Sequence, residues 1–131
     1  MATHCSILLV EDDSGIRDTV AECLASEGYA VAPVENGKEA LRWLRQATPP
    51  NLIVVDLVMP VMNGAELIDA LRDDATLREI PVVLMTAAAA TAAMPLPRAD
   101  GYLSKPFDLG ALLDTVERYC VPRLRISAAA D

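Results

Sequence analysis

The sequence has 131 residues, enough for one ordinary domain with a single core. Its 11 basic and 19 acidic residues give a formal net charge of −8, which repels polyphosphate backbones and disfavours nucleic acid as a direct partner. Apolar residues make up 53%, which excludes disorder, yet no apolar run reaches the roughly 18–20 residues of a membrane span and no basic-then-apolar leader opens the chain, so a cytoplasmic location is expected.

In chain order, short apolar runs alternate with amphipathic segments, the pattern of βα units around a parallel sheet. Strands are expected at Ser6–Val10, Tyr29–Val34, Leu52–Asp56, Val82–Thr86 and Gly101–Leu103. The runs ILLV, LIVV and VVLM are apolar on consecutive residues, as in strands covered on both faces, and should be central. The second strand carries Pro33, which cannot donate to a ladder and belongs at an edge.

The first helix is expected over Ser14–Glu27, with Ile16, Val20 and Leu24 inward, Asp13 and Ser14 as capping residues and Gly28 as the stop. A second spans Lys38–Gln46 with Leu41 and Leu44 inward, and a third Ala65–Arg72 with Leu67, Ile68 and Leu71 inward. The last runs from an Asp108 cap to Tyr119, with Leu109, Leu112, Leu113 and Val116 inward. Between Thr86 and Gly101, Pro95 and Pro97 forbid a regular helix in the second half, so the fourth helix should be shortened or irregular. Residues 1–120 form the domain in this reading, and 121–131 a flexible tail. Trp43 and Met59 read as packing residues. Cys5, Cys23 and Cys120 are odd in number and include no CxxC pair, so they are expected as reduced, packing thiols rather than a disulfide or a zinc site.

Ligands of a parallel α/β sheet collect beyond the carboxyl ends of its strands. There the first run ends in Glu11 and Asp12, the third in Asp56 and the fourth in Thr86, and Lys105 follows the fifth. Neither GxxxxGK nor GxGxxG occurs, so nucleotide binding loses its main support. Carboxylates a few ångströms apart repel by about 4 kcal/mol per pair at an effective dielectric near 20. A bound proton or a divalent cation must offset that, and hard oxygen donors favour Mg2+.

These residues resemble a known family. ILLVEDD, LIVVDLVMPVMNG, VVLMTA and GYLSKPF are similar to the four signature segments of the receiver domain of two-component response regulators, over about Ser6 to Tyr119. The resemblance implies a doubly wound, flavodoxin-like sheet of order 2-1-3-4-5. It implies that Asp56 accepts a phosphoryl group from a sensor histidine kinase or a histidine phosphotransfer protein. Glu11 and Asp12 would hold Mg2+ together with Asp56 and the backbone carbonyl of Val58. Lys105 and Thr86 would contact phosphoryl oxygens, and Tyr102 would turn inward as Thr86 is drawn to the phosphate. Output would pass to a downstream protein of unknown identity through protein–protein contacts.

Two departures from the family pattern stand out. Thr86 and Lys105 are 19 positions apart, shorter than the family needs for a full fourth helix. Val58 and Ala88 are apolar where the family tunes the access of water to the acyl phosphate, which implies a long-lived phosphoryl group. Two other functions use similar residues: a phosphorylation-independent pseudo-receiver, and an aspartyl-phosphate hydrolase of the haloacid dehalogenase kind. The hydrolase needs a second acid two residues after its nucleophile, where Val58 stands.

Overall fold

The computed structural model describes residues 5–87 and 96–120. Its elements run β1 (Ser6–Val10), α1 (Ser14–Ser26), β2 (Ala30–Val34), α2 (Gly37–Gln46), β3 (Leu52–Asp56), α3 (Gly64–Arg72), β4 (Val82–Ala87), β5 (Gly101–Lys105) and α4 (Leu109–Tyr119). The five strands form one parallel sheet in the order β2-β1-β3-β4-β5, as the family resemblance implied. All of β3 is buried, as are all but the ends of β1 and β4, because their apolar runs are covered on both faces. Pro33 pairs with Leu9 on the outermost strand, where its missing N–H costs no ladder bond on the open side.

Strand parity divides the core into two layers. On one side Leu8, Val10, Ile53, Val55 and Leu84 meet Ala40 and Leu44 of α2 and Leu67, Ile68 and Leu71 of α3. On the other, Ile7, Leu9, Val54, Val83 and Met85 meet Val20 and Leu24 of α1 and Leu112 and Val116 of α4. Each fully buried Leu or Ile contributes about 1.5–3 kcal/mol, so these two stripes fix the strands in their order and register.

All four helices among the described residues begin at a side-chain cap. Asp13, Asn36, Asn63 and Asp108 accept from the backbone N–H of Ile16, Glu39, Glu66 and Ala111, respectively. Ser14 is therefore the first helical residue and not a cap. Gly28, at φ 98°, takes the left-handed conformation that ends α1.

Several expectations need correction. β5 extends to Lys105, two residues beyond the expected end, because Ser104 and Lys105 pair with Thr86 and Ala87. Leu109 is 49% exposed: it lies in the first turn of α4, ahead of the stripe that docks on the sheet. Cys5 and Cys120 are joined in a disulfide, with Cα atoms 6.2 Å apart, and only Cys23 is free. Their separation of 115 residues hid the pairing, which arises because the start of β1 and the end of α4 meet at one edge of the same core layer. The expected irregularity of the fourth helix falls mainly on 88–95 and the expected tail on 121–131, both outside the described residues; residues 96–99 carry no regular secondary structure. No helix among the described residues is long and apolar enough to cross a membrane.

Candidate functional site at the carboxyl edge of the sheet

Successive strand side chains point to opposite faces, so the end of each strand decides what reaches the rim. Glu11 continues the parity of Ile7 and Leu9, Asp56 that of Leu52 and Val54, and Lys105 that of Leu103, all five apolar residues belonging to the layer beneath α1 and α4. Three charged side chains from three strands therefore gather over one core layer. Asp12 joins them from the turn before α1. Carboxylate oxygens of Glu11, Asp12 and Asp56 lie within 4.8 Å of one another.

Lys105 sits between two of the acids. Its Nζ is 2.9 Å from Asp56 Oδ2 and 3.0 Å from Glu11 Oε1. Glu11 is 1% exposed and Asp56 7%, while Asp12 is exposed. Burial, and the charge of Asp56, push the Glu11 carboxyl up to about 7, against the hydrogen bond from the Asp13 N–H and the pull of Lys105. Burial opposes the charge on Lys105, but its hydrogen bonds and attraction to Asp56 and Glu11 outweigh that, and its pKa is raised. The ammonium remains protonated at neutral pH and offsets part of the repulsion among the acids.

The backbone around these groups is tightly tied. Glu11 Oε2 accepts from the N–H of Asp13 at 3.1 Å, and Asp56 Oδ1 from that of Val58 at 3.4 Å. The N–H of Leu57 donates to Met85 O, and that of Gly64 to Leu57 O, closing the β3–α3 loop beneath Asp56. A Cβ on Gly64 would come within 2.7 Å of the Asp56 carbonyl oxygen and 2.9 Å of Leu57 Cα, so only glycine fits that approach. The same loop holds Val61 at φ 71°, a left-handed backbone that is costly for a β-branched residue.

Thr86 and Tyr102 occupy the opposite parity. Thr86 is 4% exposed and follows Met85, the register partner of Asp56. Tyr102 pairs with Leu84 and is 46% exposed; its hydroxyl donates to Pro97 O at 2.9 Å and accepts from the Ala99 N–H at 3.0 Å. It thus faces outward and ties down the chain entering β5. Val58 is 54% exposed and places no acid beside Asp56, which leaves the hydrolase reading without its second carboxylate. Met59 is buried and Trp43 packs at the edge of the same core layer, as expected. Ala88 lies outside the described residues.

Sequence reading missed Arg17, whose guanidinium donates to the carbonyls of Glu11 at 2.9 Å and Asp12 at 3.5 Å and so braces the turn that presents the acids. Its spacing from the acidic pair, one helical turn inside α1, was the available signal. Also missed was a groove of about 690 Å3 beside Lys105, lined by Ile16, Thr19, Val20, Phe107 and Leu109.

Comparison with known proteins agrees with this geometry. The family described as the response regulator receiver domain matches residues 7–117. Response regulator Rre1 of Synechocystis is 34% identical over 99% of this chain and 57% of its own length. The chain spans about half the length of several curated relatives it matches. Among solved structures, the signal receiver domain of a signal transduction histidine kinase from Syntrophus aciditrophicus is 34% identical with a TM-score of 0.81, covering 88% of this chain and 89% of that one. The receiver domain of a sensor histidine kinase from Pseudomonas aeruginosa, which has a magnesium ion coordinated in its active-site cleft, is 27% identical with a TM-score of 0.82, covering 90% and 98%. With the strand order, the acids at the strand ends and these matches in agreement, the chain belongs to the response regulator receiver domain family of two-component signalling systems.

Proposed function

We propose that this receiver domain accepts a phosphoryl group on Asp56 from the phosphohistidine of a sensor histidine kinase or histidine phosphotransfer protein, and signals through contacts with a downstream protein. The observation that carries this reading is the placement of the Asp56 carboxylate, fixed at a strand end with the Lys105 ammonium 2.9 Å away and two further acids within 4.8 Å. In the transfer, a carboxylate oxygen of Asp56 forms a P–O bond as the P–N bond to the donor histidine breaks, and the donor imidazole keeps the electron pair. Lys105 would then meet the arriving phosphoryl oxygens with no need to be brought from elsewhere.

The donor set fits a hard divalent cation, since Glu11, Asp12 and Asp56 offer carboxylate oxygens and the Val58 carbonyl can add another. Mg2+ bound there would supply positive charge to the phosphoryl oxygens. Thr86 is assigned to a phosphoryl oxygen as hydrogen-bond donor, and Tyr102 to the switch. Inward rotation of Tyr102 breaks its two hydrogen bonds at Pro97 and Ala99, so the switch acts on the chain entering β5. Residues 1–120 constitute the receiver unit in this proposal, with 121–131 as an appended tail, and the domain acts in the cytoplasm.

Incubation with Mg2+ and acetyl phosphate, followed by peptide mass mapping, tests the assignment. The label should fall on Asp56 and vanish in Asp56→Asn. An unlabelled wild-type chain would point instead to a phosphorylation-independent interaction domain, and a label surviving in Asp56→Asn would move the acceptor elsewhere.

A further inference from the structure

At the opposite edge of the sheet from the acids lies a second group of reactive side chains. Cys5, Ile7 and Leu9 share one strand face, and Leu112, Val116 and Cys120 recur at four-residue spacing along α4. Each stripe thus ends in a cysteine, and the two ends meet. Cys5 is fully buried and Cys120 is 7% exposed. Both backbones are held: Cys5 O accepts from the Ala30 N–H at 3.1 Å, and the Cys120 N–H donates to Val116 O at 2.8 Å. The Cα atoms are 6.2 Å apart, within the range a disulfide spans without backbone movement. The five residues of β1 separate this pair from the acidic site by roughly 17 Å.

We propose that Cys5 and Cys120 form a thiol–disulfide exchange site, whose co-reactant is a small-molecule thiol–disulfide couple of the glutathione kind, and that oxidation locks the end of α4 onto β1. The pair is built as two small apolar side chains that pack in either state, so both forms retain the core. Exposure sets the order of events. On oxidation the Cys120 thiolate attacks a sulfur of the small disulfide and expels one small thiolate; the Cys5 thiolate then attacks the Cys120 sulfur and expels the second. The protein gives up two electrons and two protons, and the small disulfide becomes two thiols. Reduction runs the same steps in reverse, beginning with attack at the Cys120 sulfur. Cys23, half-buried on α1, lies outside the pair and takes no part in the cross-link.

The oxidised form closes 115 residues of chain into one covalent loop, which restricts the unfolded state and anchors the last turn of α4. Without the bond, that turn is free to fray, as helix ends do. The site is independent of the phosphoacceptor assignment and stands even if Asp56 takes no label.

The full chain, equilibrated in buffers of defined glutathione ratio, acid-quenched, denatured and alkylated, provides the test by intact mass. Oxidising buffers should leave one alkylated cysteine and reducing buffers three, with a Cys5–Cys120 cross-linked peptide in the oxidised digest. Reduction should lower the melting temperature by at least about 5 °C and speed amide exchange at Arg118–Cys120. Cys120→Ser should keep two alkylated cysteines at every ratio, with no redox-dependent melting shift; Cys5→Ala serves the same purpose should Cys120→Ser fold poorly. Three alkylated cysteines in every wild-type buffer, a stable mixed disulfide of glutathione with Cys5 or Cys120, or a melting temperature indifferent to reduction would overturn the proposal.

Discussion

Lys105 Nζ lies 2.9 Å from Asp56 Oδ2 and 3.0 Å from Glu11 Oε1, so a single ammonium links the last residues of β3 and β5 to the residue that follows β1. This bridge is the receiver site's own answer to the repulsion among its acids before any cation binds. Removing the ammonium leaves two largely buried carboxylates facing each other. Lys105→Ala should therefore cost about 1–3 kcal/mol of stability without Mg2+, because the site is partly solvated, and should recover a larger share on adding Mg2+ than the wild type gains. Urea unfolding with and without Mg2+ measures both. Equal Mg2+ stabilisation in the two proteins would contradict the bridge's role in balancing the acids.

The raised Glu11 pKa makes stability depend on pH. The folded carboxyl titrates at about 7 and its unfolded counterpart at 4.5. Between these values the unfolded chain has lost a proton that the folded chain retains, so stability falls as pH rises through the window and levels off above it. Glu11→Gln removes the titrating group. The difference between wild-type and Glu11→Gln stability, followed by urea unfolding from pH 4.5 to 7.5 without divalent cations, should shift in favour of the variant as pH rises; a constant difference would rule out the raised pKa.

The β3–α3 loop passes so close to Gly64 that a methyl group has no room. Gly64→Ala forces backbone against backbone and should cost about 1–3 kcal/mol. Because the clash is with the Asp56 carbonyl and Leu57, the variant should also lose label from acetyl phosphate at Asp56 beyond what its fraction unfolded explains. Retention of wild-type labelling and stability would show that the loop relaxes without moving the acceptor.

Val58 stands exposed beside Asp56 and carries no group that can orient water. The phosphoryl group should accordingly persist. Val58→Asn supplies a donor and acceptor at that position, and loss of label, timed by quenched mass analysis, should quicken several-fold. An unchanged rate would count against the role assigned to this side chain.

Much of this was legible from the chain because the same residues carry two signals. In β1 and β3 an unbroken apolar run marks a buried central strand, and the charge that ends it marks both the strand terminus and the site. Lys105 was visible at the rim for the same reason, although β5 was read two residues short: Ser104 and Lys105 look like loop, and only pairing with Thr86 and Ala87 makes them strand. Leu109 misled because helical periodicity says which residues share a face but not where along the helix the sheet stops supporting it. The Cys5–Cys120 contact had no local signature, since it depends on α4 ending over the start of β1. Arg17 acts through backbone carbonyls rather than through the acids themselves, a role that residue type alone does not announce.

A Mg2+ titration followed by amide NMR tests the acid cluster most directly. Saturable shifts should concentrate at Glu11–Asp13, Asp56–Val58 and Lys105, and should be lost in Asp12→Asn. Shifts that never saturate, spread evenly over exposed acids, or survive unchanged in Asp12→Asn would contradict a cation site at the ends of β1 and β3.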